Sequence, residues 1–238
     1  MISIDDQNPW YINRIAIVNI YMAGLVPENN DDYLKKAELF TRASAGADLN
    51  NPLFQLNLAY FLHRNGKADE AIGYYKRVIQ IDDRMLEARY NIADIYGKKG
   101  NHKKRLEHYQ AIYEKNPDFP KVRLALASVF IHLDQHDKAI PYLAEEIDKN
   151  PNQLEPLKTL ASLYLRDKQW RNAVKIYEIL LTKYPQERKF HPYYIQSLVN
   201  INQVDKALKQ LQLFIKANPK DQVAKNQLKA LKKALKTK

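Results

Sequence analysis

His132 and His136 stand four residues apart, the spacing at which one helix face can offer two imidazoles to a metal ion. A turn between two helical patterns falls between them, so the rings are not expected to share a face. His102 and His108 have no acidic co-ligand at helical spacing, and all four read as surface histidines. Asp82-Asp83 and Glu145-Glu146 fall at helix ends and on solvated faces, where neighbouring carboxylates do no acid–base work. The six glycines, Gly24, Gly46, Gly66, Gly73, Gly97 and Gly100, form no phosphate-cradling loop. The chain has no cysteine, which removes disulfides, thiolate zinc sites and thiol nucleophiles together. No nucleophile, base and orienting group can be named as a set. The expectation is a protein that is not an enzyme and takes neither metal nor cofactor.

The residues that do recur are structural. "DEAIGYYKRVIQIDD" at residues 69–83 returns as "DKAIPYLAEEIDKNP" at 137–151 and "DKALKQLQLFIKANP" at 205–219, each 68 residues on, twice 34. Frames of 34 residues with Pro52 in column 1 align without gaps. Column 8 reads Ala59, Ala93, Ala127, Ala161 and Ile195, and column 20 reads Ala71, Arg105, Ala139, Ala173 and Ala207. Column 32 reads Asp83, Pro117, Pro151, Pro185 and Pro219. Each frame carries two apolar patterns at helix spacing with a short turn between them. Gly66, Gly100, Asp134, Lys168 and Asn202 share the turn's column 15, where residues that tolerate positive φ end a helix. Asp69, Asp137 and Asp205 at column 18 read as N-caps of the second helix, and the Asn-Pro pairs end it. Pro141 and Pro156 read as first-turn prolines. Small residues at columns 8 and 20 let two antiparallel helices approach closely. One such hairpin cannot bury both faces, so hairpins must stack.

This pattern resembles the tetratricopeptide repeat (TPR) family over at least residues 52–221. The resemblance implies an all-α, right-handed superhelical solenoid of antiparallel helix pairs, about six repeats and a C-terminal capping helix. The array would span 1–221, with an irregular first repeat at about 9–51 and further repeats at 52–85, 86–119, 120–153, 154–187 and 188–221. The first repeat would open with a helix capped by Asn8 and Pro9 and continue through the long connection "GLVPENNDD". Residues 222–238 would be a basic cap. Arg105 departs from the small column, so its stem should snorkel and its frame pack more loosely. Pro192 should delay the first helix of the last frame.

In the family, first helices line a concave groove around columns 2, 5, 6, 9, 12 and 13. Carried onto this chain, the groove takes Leu56, Asn57, Tyr60 and Arg64, then Tyr90, Asn91, Asp94 and Lys98, then Lys121, His132, Lys158 and Arg166. Arg64, Lys98 and Arg166 would offer cations to an acidic segment. Asn57 and Asn91 would hydrogen-bond a peptide backbone, and Tyr60 and Tyr90 would give rigid contact area. The pattern by which some relatives clamp a chaperone's C-terminal carboxylate is met at two of five positions, Asn91 and Lys121, so that specialisation is not expected.

The net charge of +11 is uneven, with ten Lys and two Asp from Gln203 to Lys238. Leu228, Leu231 and Leu235 form one stripe there with lysines elsewhere, which reads as a solubilising cap, or as a membrane-surface anchor over Lys225–Lys238. No nucleic-acid reader motif appears. The expected function is a protein-interaction scaffold that holds a partner's peptide or helix, with preference for acidic segments. The alternative is a docking domain of a larger bacterial envelope-associated machine for secretion, polysaccharide or glycosyl transfer. The start of the sequence shows no secretory leader, so the reading is cytoplasmic, or periplasmic if a native leader precedes it. The Asn- and Lys-rich composition points to a bacterium. Oligomeric state is not legible in the sequence.

Overall fold

A computed structural model of the chain describes residues 8–236, leaving aside the side chains of Arg188 and residues 234–236. Leu235, which the sequence places on the terminal leucine stripe, and Thr237 and Lys238 of the basic tail lie outside that description. The described residues form thirteen α-helices and no strand. They are α1 (Pro9–Leu25), α2 (Asn30–Ala47), α3 (Pro52–Arg64), α4 (Ala68–Ile81), α5 (Leu86–Lys98), α6 (His102–Lys115) and α7 (Val122–His132). There follow α8 (His136–Lys149), α9 (Leu154–Arg166), α10 (Trp170–Lys183), α11 (His191–Asn200), α12 (Val204–Ala217) and α13 (Gln222–Lys236). The chain falls into two compact units, Met1–Val129 and Phe130–Lys238, the division lying within α7.

The turns inside the hairpins explain the tight period. Gly66, Gly100, Asp134, Lys168 and Asn202 all adopt positive φ, between +55° and +79°. The next amide then reaches back to the carbonyl five residues upstream, as in Lys67 N to Leu62 O at 2.9 Å and Gln169 N to Tyr164 O at 2.8 Å. This is a Schellman closure whose last residue is already the N-cap of the next helix. The N-caps are therefore Lys67, Gln135 and Gln203. Asp69, Asp137 and Asp205, expected as caps, sit instead in the first helical turn, where a carboxylate still meets the positive end of the helix dipole. Asp82, Asn116, Asn150, Tyr184 and Asn218 cap the second helices. Pro141 also departs from expectation: it lies inside α8, beyond the first turn, on an exposed face. Pro192 stands at the start of α11, after a 3₁₀ turn at Arg188–Phe190 that delays the helix.

In the N-terminal unit the first repeat opens as the sequence implies. Asn8 accepts a hydrogen bond from Trp10 N at 3.0 Å, and Pro9 is the first helical residue. The long connection contains a 3₁₀ turn, Pro27–Asn29, and Asn30 Nδ2 donates to Ala23 O at 3.0 Å, satisfying the end of α1. The core gathers Phe54, Leu58, Leu62, Tyr75, Val78, Ile92 and Ile95 around the buried Ala59 and Ala71. In the C-terminal unit Leu157, Tyr177, Leu180, Leu198 and Leu211 pack around Ala161, Ala173 and Ala207, and Ala224 of α13 joins them.

Arg105 is the exception in the small column, and the structure shows how it fits. A Cβ on Gly97 would come 3.0 Å from Arg105 Nε and 3.1 Å from its Cδ. The glycine supplies the room that Ala supplies elsewhere from the other helix. The guanidinium carbon then lies 5.5 Å from the Tyr109 ring centroid, a cation–π contact. The side chain lies half-buried across the hairpin, in the room that Gly97 leaves on the first helix.

A candidate partner-binding face

On α3 and α5 the expected groove residues come together within the N-terminal unit. Tyr60 is exposed, and the Arg64 guanidinium lies over its ring at 5.8 Å from the centroid. One turn spacing along α5, Lys98 donates to Asp94 at 2.8 Å and to His63 Nε2 at 3.4 Å. His63 Nε2 also stands 3.5 Å from Asp94. Burial first, and the Lys98 charge second, hold the His63 imidazole below its ordinary value of 6.5. Beneath them Tyr75 is fully buried, with its hydroxyl making no hydrogen bond among the described residues, and burial pushes its ionisation up. Its ring meets His63 edge-on at 6.3 Å. Tyr90 is half-buried between Tyr109 at 5.4 Å and Phe119 at 5.8 Å. Leu56 is half-buried against the core.

Both asparagines already use a donor inside the protein. Asn57 Nδ2 donates to Asn13 Oδ1 of α1 at 3.0 Å, and Asn91 Nδ2 donates to Glu87 O at 2.9 Å. Lys121, expected on a first helix, precedes α7 with a φ of +64°. In the C-terminal unit Arg166 is paired with Asp134, and Lys158 with Glu155 at 2.5 Å. His132 is exposed at the end of α7. Of the three cations expected to face a partner, Arg64 makes no ion pair among the described residues, whereas Lys98 and Arg166 are already matched.

His136 overturns the expectation of a surface histidine. It is buried, with Nδ1 2.9 Å from Asp167 and Nε2 3.4 Å from Asp134, tying α8 to the turn after α9. His108 is half-buried and stacks on Tyr96 at 5.9 Å. Among the described residues no three His, Asp or Glu side chains are grouped to hold a metal ion.

Sequence reasoning missed part of this face. Trp10, Ile17 and Tyr21 of α1 are exposed, and Trp10 packs edge-on against Phe54 at 4.8 Å. Counting α1 from Pro9 puts the fully buried Ala16 in column 8, the same column as Ala59. Trp10, Ile17 and Tyr21 then occupy columns 2, 9 and 13, the columns of groove residues. Beside them a pocket of about 240 Å³ is lined by Ile20, Ala23, Leu34, Tyr60, Phe61 and Arg64. At the other end of the chain, α13 turns Lys229, Lys232 and Lys233 outward while Leu228 and Leu231 pack on the C-terminal core. A second pocket, about 470 Å³, opens between α11 and α13 beside Tyr193, Val199 and Leu231. No helix of the described residues is long and apolar enough to cross a membrane.

Comparison with known proteins agrees with this architecture. Residues 83–225 match the family model for the N-terminal TPR repeats region of Psidin, and residues 32–85 match a tetratricopeptide repeat model. Among solved structures, YrrB, a TPR protein with an unusual peptide-binding site, superposes with a TM-score of 0.61 at 17% identity, covering 79% of this chain and 97% of that one. A tetratricopeptide repeat protein from Parabacteroides merdae gives 0.58 at 17% identity, covering 85% and 80%. PilF from Pseudomonas aeruginosa gives 0.56 at 14% identity, covering 92% and 98%. No curated protein matches the chain. With more than half its length under one repeat model and an all-α repeat fold throughout the described residues, the chain belongs to the tetratricopeptide-repeat family.

Proposed function

We propose that the protein is a non-catalytic interaction scaffold whose N-terminal unit holds a peptide or helix of a partner protein along the first helices α1, α3 and α5. The observation that carries this reading is the run of solvent-facing aromatic and apolar side chains, Trp10, Ile17, Tyr21 and Tyr60, on columns that neighbouring repeats do not bury. Exposed aromatic anchors beside a concavity are the usual material of binding hot spots. YrrB, described as carrying a peptide-binding site, supports the reading by analogy of fold alone. Preference for acidic segments rests on Arg64, because Lys98 and Arg166 are matched by Asp94 and Asp134.

The test uses the partner recovered by the intact chain and compares its affinity for three variants. Tyr60→Ala should weaken binding about tenfold or more, as for a hot-spot side chain. Arg64→Glu should weaken it with a changed salt dependence, and Lys98→Glu less so. Affinity unchanged in all three would reject the face.

A second reading is favoured by one observation, the outward lysines of α13. It makes the protein a docking domain held near an anionic membrane surface, where each lysine near the lipid contributes about 1 kcal/mol. Sedimentation with anionic vesicles, with and without residues 222–238, separates the two readings.

A further inference from the structure

The concavity beside Tyr60 has a size and a charge that describe what it can hold. Its apolar walls are Ile20 and Ala23 of α1, Leu34 of α2, and Tyr60 and Phe61 of α3. Three successive helices of the N-terminal unit shape it, so it belongs to the inside of the stack and not to an uncovered end. Volume comes first. A cavity of about 150 Å³ accommodates one benzene ring, and sites for free small molecules begin at about 300 Å³. At about 240 Å³ the concavity has room for one leucine- or phenylalanine-sized side chain and too little for a cofactor.

Polar groups narrow the choice further. Asn30 Nδ2 already donates to Ala23 O at 3.0 Å, and Asn65 Nδ2 to Phe61 O at 2.8 Å, so both lining amides are turned toward the ends of their own helices. Among the described residues Arg64 is the only charged side chain lining the concavity, and its guanidinium makes no hydrogen bond or ion pair. It is exposed, and the Tyr60 ring holds it at the mouth by a cation–π contact, 5.8 Å from the ring centroid. Such a contact occupies the flat face of a guanidinium. The N–H donors lie along its edges and stay open to a ligand.

Resting on the binding face proposed above, we infer that the partner's segment carries a two-part element: one leucine- or phenylalanine-sized side chain that fills this concavity, and an aspartate or glutamate at a neighbouring position that pairs with Arg64. The carboxylate must neighbour the anchor, because Arg64 lines the same concavity. A carboxylate can meet the guanidinium edge with two parallel hydrogen bonds, which fixes the segment's direction as well as its charge. Strength and selection are then divided. The enclosed apolar side chain supplies most of the affinity, and the exposed ion pair adds little to it while rejecting basic segments.

A random peptide library displayed on phage and selected on the intact chain supplies the probe. Enriched peptides should share a leucine- or phenylalanine-class residue with Asp or Glu beside it. A synthetic peptide of the enriched sequence is then titrated by fluorescence anisotropy against three variants. Gly24 lines the concavity, and a Cβ added there meets nothing within 4 Å, so Gly24→Leu fills the space without crowding the fold. It should weaken binding about tenfold or more, as when a hot-spot contact is lost. Arg64→Gln should weaken it about two- to fivefold, the worth of an exposed ion pair, and remove most of the salt dependence. Changing the peptide's acidic residue to its amide should give the same loss, with no further loss on Arg64→Gln. Ile17 is exposed on the same face but does not line the concavity, so Ile17→Asp separates the two claims. Binding weakened by Ile17→Asp and untouched by Gly24→Leu would overturn the inference and keep the binding face. Enriched peptides without an acidic residue would do the same. Binding indifferent to both variants, or no peptide enriched, would overturn both.

Discussion

Gly97 and Arg105 show how a single hairpin absorbs an unsuitable residue. Elsewhere the small residue of column 20 lies on the second helix, and here the space is opened on the first. The exchange predicts coupling. Gly97→Ala alone forces Arg105 to give way, so the helix-propensity gain of about 1 kcal/mol should be largely lost. In an Arg105→Ala background the same substitution should recover it, a difference that chemical denaturation of the four proteins would resolve. A pH dependence belongs at this scale too. Burial first, and nearby Arg89 second, depress the His108 imidazole below 6.5 in the folded protein. His63 is depressed likewise. The unfolded chain takes protons at these sites before the native one does, so their stabilisation is complete above about pH 6.5 and declines as pH falls through the folded values. His108→Gln should flatten the fall in urea midpoint between pH 7.5 and pH 5.5, and an unaltered slope would contradict the assignment.

At the scale of elements, the turns decide the period. Five residues hold positive φ at column 15, and three of them are not glycine. Lys168 has the least reason to accept that conformation, because Asn and Asp tolerate it better. Lys168→Gly should therefore raise stability by about 0.5–1 kcal/mol, read as a higher thermal midpoint, whereas Gly66→Ala should lower it by about 1 kcal/mol. The period, the positive-φ column and the small columns were all legible in the sequence, because each is a demand of local geometry repeated several times. The N-caps were misread by two residues, since Schellman closure leaves no spare residue between the turn and the next helix. Pro141 was placed too early for the same reason. The inter-repeat partners were not legible: Arg166 finds Asp134 and His136 finds Asp167 only when one frame is laid over the next. The Asp94–Lys98 pair was visible as an i, i+4 spacing and shows that a basic column need not face a ligand. The apolar face of α1 was visible as composition, but its meaning needed the register that places Trp10, Ile17 and Tyr21 in the columns of groove residues.

At the scale of the whole molecule, charge is distributed unevenly along the chain. Of the net +11, the stretch Gln203–Lys238 carries +8, while of the exposed aromatic residues Trp10, Tyr11, Tyr21 and Tyr60 lie on α1 and α3 and Tyr193 on α11. Retention on an anionic column should thus follow the C-terminal segment, fall steeply with salt, and be lost on removing residues 222–238. Partner recognition should instead follow the N-terminal unit. The most direct measurement installs a photo-cross-linking phenylalanine at Tyr60, Tyr90 or, as a control on the outward face of α10, Lys175, and irradiates cells making each variant. The same protein adduct should form at positions 60 and 90, be absent at 175, and disappear when Arg64→Glu is added. Adducts that form equally at 175, or none at 60 and 90, would contradict a binding face on the first helices.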